Sequence, residues 1–459
     1  MNEASSKRQK VQFLTVVINY HINLHGLWSF SDRCREMQIL ISMCTSTMSF
    51  HIGNTIIMFK NKLTALSLAS TAAAVAILIL FWYIRFHETL LTSHELMQSD
   101  ATSTPSGLFP YHHALEQLEW IAEFARNKTE VSSPYSPMIY YDRKRLFHPT
   151  TSSGCRYKCI FKNTLRVLGR GDAVVFSSWF SVKASITLKR RGVLIAFETG
   201  ESPHHVPFLL PSHLKQIDLF ITHMAKSPVP DVYSVFIRNE NPRYRFTAKE
   251  TVSMLSKNYV HLLPPHHWRR EKLIAWAVSN YHASNNRIEF ADAVAKFIPV
   301  DVYGRYGKQF PPNVNSFHFL SLNYKFYLAF ENSNCRDYIT EKVYVNAFQH
   351  DMIPIVLGAF KEDYGNTLPP HSYINVDDFK SIRELTDYLL YLDKNHTAYA
   401  AYFAWKEYGR ICNPGRLDCQ LCGFMHELNA GTVRLPKQNA TDFFDPQRLC
   451  FDRPLPPLE

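Results

Sequence analysis

Tyr324-Lys-Phe-Tyr-Leu-Ala-Phe-Glu-Asn-Ser-Asn-Cys-Arg-Asp-Tyr-Ile-Thr-Glu-Lys-Val-Tyr-Val-Asn-Ala-Phe-Gln349, closed by Ile353-Pro-Ile-Val-Leu-Gly358, decides how the chain reads. An apolar run, a polar loop, a helix-like stretch and a second apolar run give strand, loop, helix, strand. Thr340 suits a helix N-cap, which puts Glu341 and Lys342 in the first turn. Free backbone N–H groups and a lysine at a helix start make a site for a diphosphate. The helix dipole alone disfavours a lysine there, so an anionic partner would explain it.

Working outward, similar apolar runs recur at 172–176, 193–197, 219–221, 273–278 and 300–303, with room for helices between them. Pro264-Pro265 marks a break. Alternating β and α elements predict parallel sheets covered on both faces. Two such halves suggest two Rossmann-like domains facing a cleft, with ligands beyond the carboxyl ends of the strands.

The opening segment closely resembles the donor-binding motif of the α1,3/α1,4-fucosyltransferase family (glycosyltransferase family ten): F-Y-L-x-F-E-N-S, D-Y-I-T-E-K, then P-x-V-L-G. Flanking matches are Lys272-Leu-Ile-Ala-Trp-Ala-Val-Ser-Asn280, Asp301-Val-Tyr-Gly304, Leu368-Pro-Pro370, Val376-Asp-Asp-Phe379, Tyr402-Phe-x-Trp405 and Cys419-x-x-Cys422. The likeness is close from about 270 to 425 and looser from about 140 to 265. Cys335 in this context resembles invertebrate and plant members, while two cysteines of some vertebrate members are Ala275 and Tyr324 here. The resemblance implies a GT-B type α/β fold and an inverting transfer of L-fucose from GDP-fucose to N-acetylglucosamine of a glycoprotein glycan. It implies that Arg287 and Lys342 neutralise the diphosphate and that Glu341 accepts hydrogen bonds from ribose hydroxyls. Tyr338 would pack against the nucleotide-sugar, and Ser279, Asn280, Glu331 and Asn332 would line the same pocket.

The family's base is the glutamate of a strand-end F-E-S-P-x-H motif. This chain has Phe197-Glu-Thr-Gly-Glu201-Ser-Pro-His-His205. Glu201 is the favoured base and Glu198 the runner-up, with partial burial expected to tune the carboxylate for proton transfer. His204 and His205 are read as acceptor-contact or structural residues. Thr222-His-Met-Ala-Lys-Ser-Pro-Val-Pro-Asp231 departs from the family's usual run. That departure motivates a rival, a catalytically silent relative that binds a nucleotide-sugar or glycan. No D-x-D motif stands out, and Arg287 with Lys342 can carry the leaving charge. No metal or other cofactor is therefore expected to be required, with stimulation by Mn or Mg left open.

Leu63–Ile84 is uncharged and free of Gly and Pro, with Trp82 and Tyr83 at its end. As a helix it spans about 33 Å, enough for a bilayer core of ~30 Å. The net charge is +10. Half of it lies in residues 1–85, so the positive side is N-terminal and the rest is expected in the Golgi lumen as a single-pass type II protein. The expected organisation is 1–62 cytoplasmic tail, 63–84 signal anchor, 85–136 stem, 137–265 acceptor-side domain, 266–435 donor-binding domain and 436–459 tail. Met58-Phe-Lys-Asn-Lys62 would itself make a normal short tail, so Met48 and Met58 are alternative starts. The mild, dispersed surplus of charge beyond residue 85 suits an anionic small substrate and excludes a nucleic-acid track. Cys155/Cys159 and Cys419/Cys422 have the look of a zinc site, but an oxidising lumen favours disulfides. With seven cysteines after the anchor, one is left over. Asn127, Asn395 and Asn439 head N-x-T sequons.

Overall fold

Strand-forming Val, Ile and Phe runs build two parallel five-stranded sheets in the computed structural model, which describes residues 109–127, 129–142, 153–177, 180–413 and 415–459. All of these lie in one compact unit, residues 101–459. The first sheet has the order β2-β1-β3-β4-β5, from β1 (Met138–Tyr141), β2 (Ile160–Lys162), β3 (Ala173–Phe176), β4 (Leu194–Thr199) and β5 (Leu219–Thr222). Then β6 (Val235–Arg238) leaves the sheet and pairs antiparallel with β12 (Gly409–Cys412). The second sheet runs β11-β10-β9-β7-β8, from β7 (Lys272–Ala277), β8 (Val300–Tyr303), β9 (Tyr324–Phe330), β10 (Ile353–Leu357) and β11 (Ile374–Asn375). Each apolar run expected as a strand is one. The short β1, β2, β6, β11 and β12 carried no comparable signal.

Both faces of each sheet are dry because successive side chains point to opposite sides. In the first sheet Ala173 and Val175 meet Leu421, Phe424 and Met425 of the helix Leu417–Ala430. Val174 and Phe176 face the other way, towards Leu188 of the helix Val182–Arg190 and towards Phe443. In the second sheet Phe326, Leu328 and Phe330 pack on Phe290, Val294, Leu385 and Leu389. Tyr327 and Ala329 pack on Val343, Tyr344 and Trp405. Each fully buried aliphatic or Phe side chain contributes about 1.5–3 kcal/mol. The one cation inside β9, Lys325, is neutralised by Asp393 at 2.6 Å.

Part of the expected stem belongs to this fold. Phe109, Tyr111, Ala114, Leu115, Leu118 and Ile121 are buried with Cys155, Val235, Cys412 and Cys419. Their apolar spacing over His112–Trp120 is an amphipathic helical signal used for packing. The anchor expected over 63–84 lies outside the described residues, among which no helix is long and apolar enough to cross a membrane.

The cysteines form disulfides Cys155–Cys419, Cys159–Cys422 and Cys335–Cys450. The zinc alternative falls, because the His/Cys/Asp clusters among the described residues all contain cysteines spent in these bonds. The leftover thiol is the buried Cys412. Cys159–Cys422 closes a loop of 263 residues and ties the helix Leu417–Ala430 beneath the first sheet. Replacing both with Ala is expected to cost about 2–5 kcal/mol, read as a lower thermal midpoint; an unchanged midpoint would refute this.

Candidate active site

Parallel strands deliver their carboxyl ends to one edge of a sheet, and here the two edges meet. β4 carries Glu198 inside the fold, fully buried, where Tyr141 Oη donates to its Oε2 at 2.7 Å. The chain then turns, with Thr199 Oγ1 accepting from Glu201 N at 3.1 Å. Glu201 emerges exposed, so the partial burial expected for it is absent. Next to it Ser202 Oγ donates to Ser333 Oγ of the second half at 2.7 Å, both serines wholly buried. Ser284 Oγ and His205 Nε2 lie 3.2 Å apart across the same junction. His204 is exposed.

β9 ends at Phe330 and presents Glu331, only 1% exposed. Its carboxylate accepts from Thr340 N at 2.9 Å and from Thr340 Oγ1 at 2.8 Å, and pairs with Lys342 Nζ at 2.8 Å. Lys342 Nζ also donates to Thr340 Oγ1 at 2.8 Å and to Glu341 Oε1 at 3.2 Å. Gly358, at φ +148°, makes room for this, since a Cβ there would stand 2.6 Å from Glu331 Cβ. Burial raises the Glu331 pKa despite the nearby Lys342. Burial would lower that of Lys342, but the Glu331 and Glu341 carboxylates outweigh it and hold the ammonium charged.

The segment after Thr340 is helical as expected, but Lys342–Ala347 is wound as a π-helix, followed by a 3-10 turn over Phe348–His350. Thr340 Oγ1 donates to Glu331 and accepts from Lys342 N only at 3.5 Å, so its cap contact is long.

Tyr338, 2% exposed, bridges the halves, its Oη donating to Glu201 Oε2 at 3.3 Å. Burial, then the Glu331 carboxylate, raises the Tyr338 pKa, so the phenol remains a donor. Tyr233 is held the same way by burial and by Glu341, Glu331 and Glu201. Its Oη donates to Gly200 O at 3.4 Å. Tyr233, Glu201 and His205 line a cavity of about 400 Å³ that continues past Glu198, Asp231 and Asp418.

Arg287 opens the helix Arg287–Ala295 and is buried, with Nη1 donating to Phe330 O at 3.1 Å and Nη2 to Asn280 O. Its Nε is buried without a hydrogen-bond partner. Burial lowers its pKa. Asn280 and Ser279 are exposed beyond the end of β7. Asn332 gives its backbone oxygen to Ser284 N at 2.8 Å. Asp377-Asp378 lies in a short 3-10 turn, with Asp377 bound by Arg453 at 2.8 Å. Asn127 and Asn439 are exposed, whereas Asn395 caps a helix through Ala398 N at 3.0 Å.

Glu201, Tyr338, Glu331, Glu341 and Lys342 therefore converge, while Arg287 and Asn280 flank them behind the end of β9. Sequence reasoning missed Tyr233, Ser202, Ser333 and Asn285, whose partners are all far away in the chain.

Residues 267–438 match the family model described as Glycosyltransferase family 10 (fucosyltransferase) C-term. The chain is 44% identical over 189 residues to glycoprotein 3-alpha-L-fucosyltransferase A of Drosophila melanogaster, covering 40% of this chain and 37% of that protein. It is 45% identical over 138 residues to the human 4-galactosyl-N-acetylglucosaminide 3-alpha-L-fucosyltransferase FUT6, covering 30% and 38%. The matches thus span well under half the length of these relatives. A solved α1,3-fucosyltransferase with GDP-fucose is 20% identical, with a TM-score of 0.42, covering 70% of this chain and 99% of that one.

Proposed function

We propose, for a chain whose residues 267–438 belong to the glycosyltransferase family 10 (fucosyltransferase) C-terminal family, that it is an inverting α1,3-fucosyltransferase. It moves L-fucose from GDP-β-L-fucose to N-acetylglucosamine of glycoprotein glycans. Residues 137–265 serve the acceptor and 266–435 the donor, in a GT-B arrangement. The observation that carries this is the Glu201 carboxylate held by Tyr338 within reach of the Lys342 cluster, at the junction of two sheet edges.

Glu201 takes the proton of the acceptor hydroxyl as that oxygen forms its bond to the anomeric carbon. The bond from that carbon to the diphosphate oxygen breaks on the opposite face, and GDP leaves with the electron pair. Lys342 and Arg287 stabilise the charge on the departing diphosphate. The three ammonium hydrogens of Lys342 are occupied by Glu331, Thr340 and Glu341. Glu341 is the longest and most exposed of these contacts, so it is the one that yields to phosphate and turns to the ribose hydroxyls. With two cations at the leaving group no metal is required, and Mn or Mg would act only by stimulation. Orientation follows the charge asymmetry about 63–84: a Golgi single-pass type II anchor with the catalytic part luminal.

The test is incubation of the full detergent-solubilised chain with GDP-fucose and core and antennal N-acetylglucosamine acceptors. An α1,3-fucosylated product and free GDP are expected. GDP binding without transfer to any acceptor would favour the silent relative instead.

A further inference from the structure

We propose that the C-terminal segment around Cys450–Arg453 is a working part of the donor site, with Arg453 as a positioning residue for Glu331. This rests on the donor reading of Glu331, Lys342 and Arg287 given above. Arg453 lies at the end of the chain and outside the family match, yet its side chain is only 4% exposed. Its Nε and Nη2 grip Asp377 as a fork, both at 2.8 Å. That fixes the guanidinium plane, as a bidentate pair does. The remaining Nη1 donates to Asn334 Oδ1 at 2.8 Å. The same Asn334 oxygen accepts from Asn285 Nδ2 at 2.9 Å, and Asn285 Nδ2 also reaches Glu331 O at 3.2 Å. Arg453 thus acts on Glu331 through two amides. Its own backbone oxygen accepts from Asn286 Nδ2 at 2.9 Å, one residue before Arg287.

The backbone repeats the pattern. Phe451 N donates to Asn334 O at 2.9 Å and Arg336 N to Leu449 O at 2.8 Å, either side of the Cys335–Cys450 disulfide. The middle of the loop from Glu331 to Tyr338 is therefore stapled to the C-terminal segment at Asn334, Cys335 and Arg336. Upstream, Phe443 packs tilted on Phe220 of the first sheet and Phe444 meets it edge-on. One segment thus spans from the acceptor half to the donor loop. A merely structural strap would not need a buried guanidinium shared between a carboxylate and the two-amide relay to Glu331.

The decisive variant is Arg453→Lys in the full chain, which keeps the charge but loses the planar fork. GDP affinity, measured by calorimetry, is expected to fall about tenfold, the equivalent of one charge-assisted hydrogen bond. The KM for GDP-fucose should rise in step, with acceptor KM unmoved. Arg453→Ala should be more severe; if it fails to fold, the lysine variant still decides. Unchanged GDP affinity in Arg453→Lys, or donor and acceptor KM rising together, overturns the proposal. Lys342→Ala is the control. If it loses GDP while Arg453→Lys does not, only the role of the segment fails. If it binds GDP like the parent, the donor reading fails as well.

Discussion

Glu201→Gln is expected to lower kcat by about 10²- to 10⁴-fold, the usual worth of a positioned general base, while leaving GDP affinity unchanged. Glutamine keeps the length of the side chain and an oxygen to accept from Tyr338, which now stands 3.3 Å away. It removes only the capacity to take a proton. Lys342 and Arg287, the cations proposed to meet the phosphates, make no hydrogen bond or ion pair to Glu201 among the described residues, so donor binding has no reason to change. Glu198 offers the sharper comparison. It lines the same cavity but is wholly buried and already accepts from Tyr141 at 2.7 Å. What separates the two is burial: Glu198 is wholly enclosed and organises the strand end, whereas Glu201 is exposed to an incoming hydroxyl. Glu198→Gln should therefore cost stability more than turnover. Full activity in Glu201→Gln, or a larger kcat loss in Glu198→Gln with normal folding, would move the base to Glu198.

What the sequence revealed depended on how local the physics was. Buried strands were legible because their apolar runs must be continuous when both faces are covered, as in Tyr324–Phe330. The convergence of Glu331, Tyr338, Glu341 and Lys342 was legible because one short stretch carries them all. The geometry after Thr340 was not. The place of Thr340 is set also by a glutamate nine residues back, to which its hydroxyl donates, while its cap contact to Lys342 N is 3.5 Å long. Nor was Tyr233 visible, since its place between the two carboxylate groups depends on β6 leaving the first sheet to pair with β12. The disulfide framework was half legible. The two Cys-x-x-Cys-like pairs announced themselves by spacing, whereas Cys335–Cys450 joins single cysteines with no local signature. Within the expected stem, the amphipathic spacing over 112–120 was readable, but not the partners that bury it, Cys155, Val235, Cys412 and Cys419, which lie downstream.

Lys342→Ala is expected to weaken GDP binding by about 10- to 150-fold, the loss of one or two charge-assisted contacts worth 1.5–3 kcal/mol. The same change should destabilise the empty protein, and the two effects can be separated. Lys342 is the direct cationic partner of the Glu331 carboxylate, which is 1% exposed. Removing one member of a buried pair leaves an uncompensated charge and costs about 3–5 kcal/mol. Glu331 answers by taking up a proton, its pKa being already raised by burial. The single variant should therefore lose stability as pH rises and the proton is harder to hold, a dependence opposite in sign to that of a carboxylate with a depressed pKa. The double variant Lys342→Met with Glu331→Gln fills the space without any buried charge and should recover the thermal midpoint. It should not recover GDP affinity, because the ammonium proposed to meet the phosphates is still missing. If the double variant regains both, the ammonium serves only to neutralise Glu331, and the diphosphate must be held elsewhere.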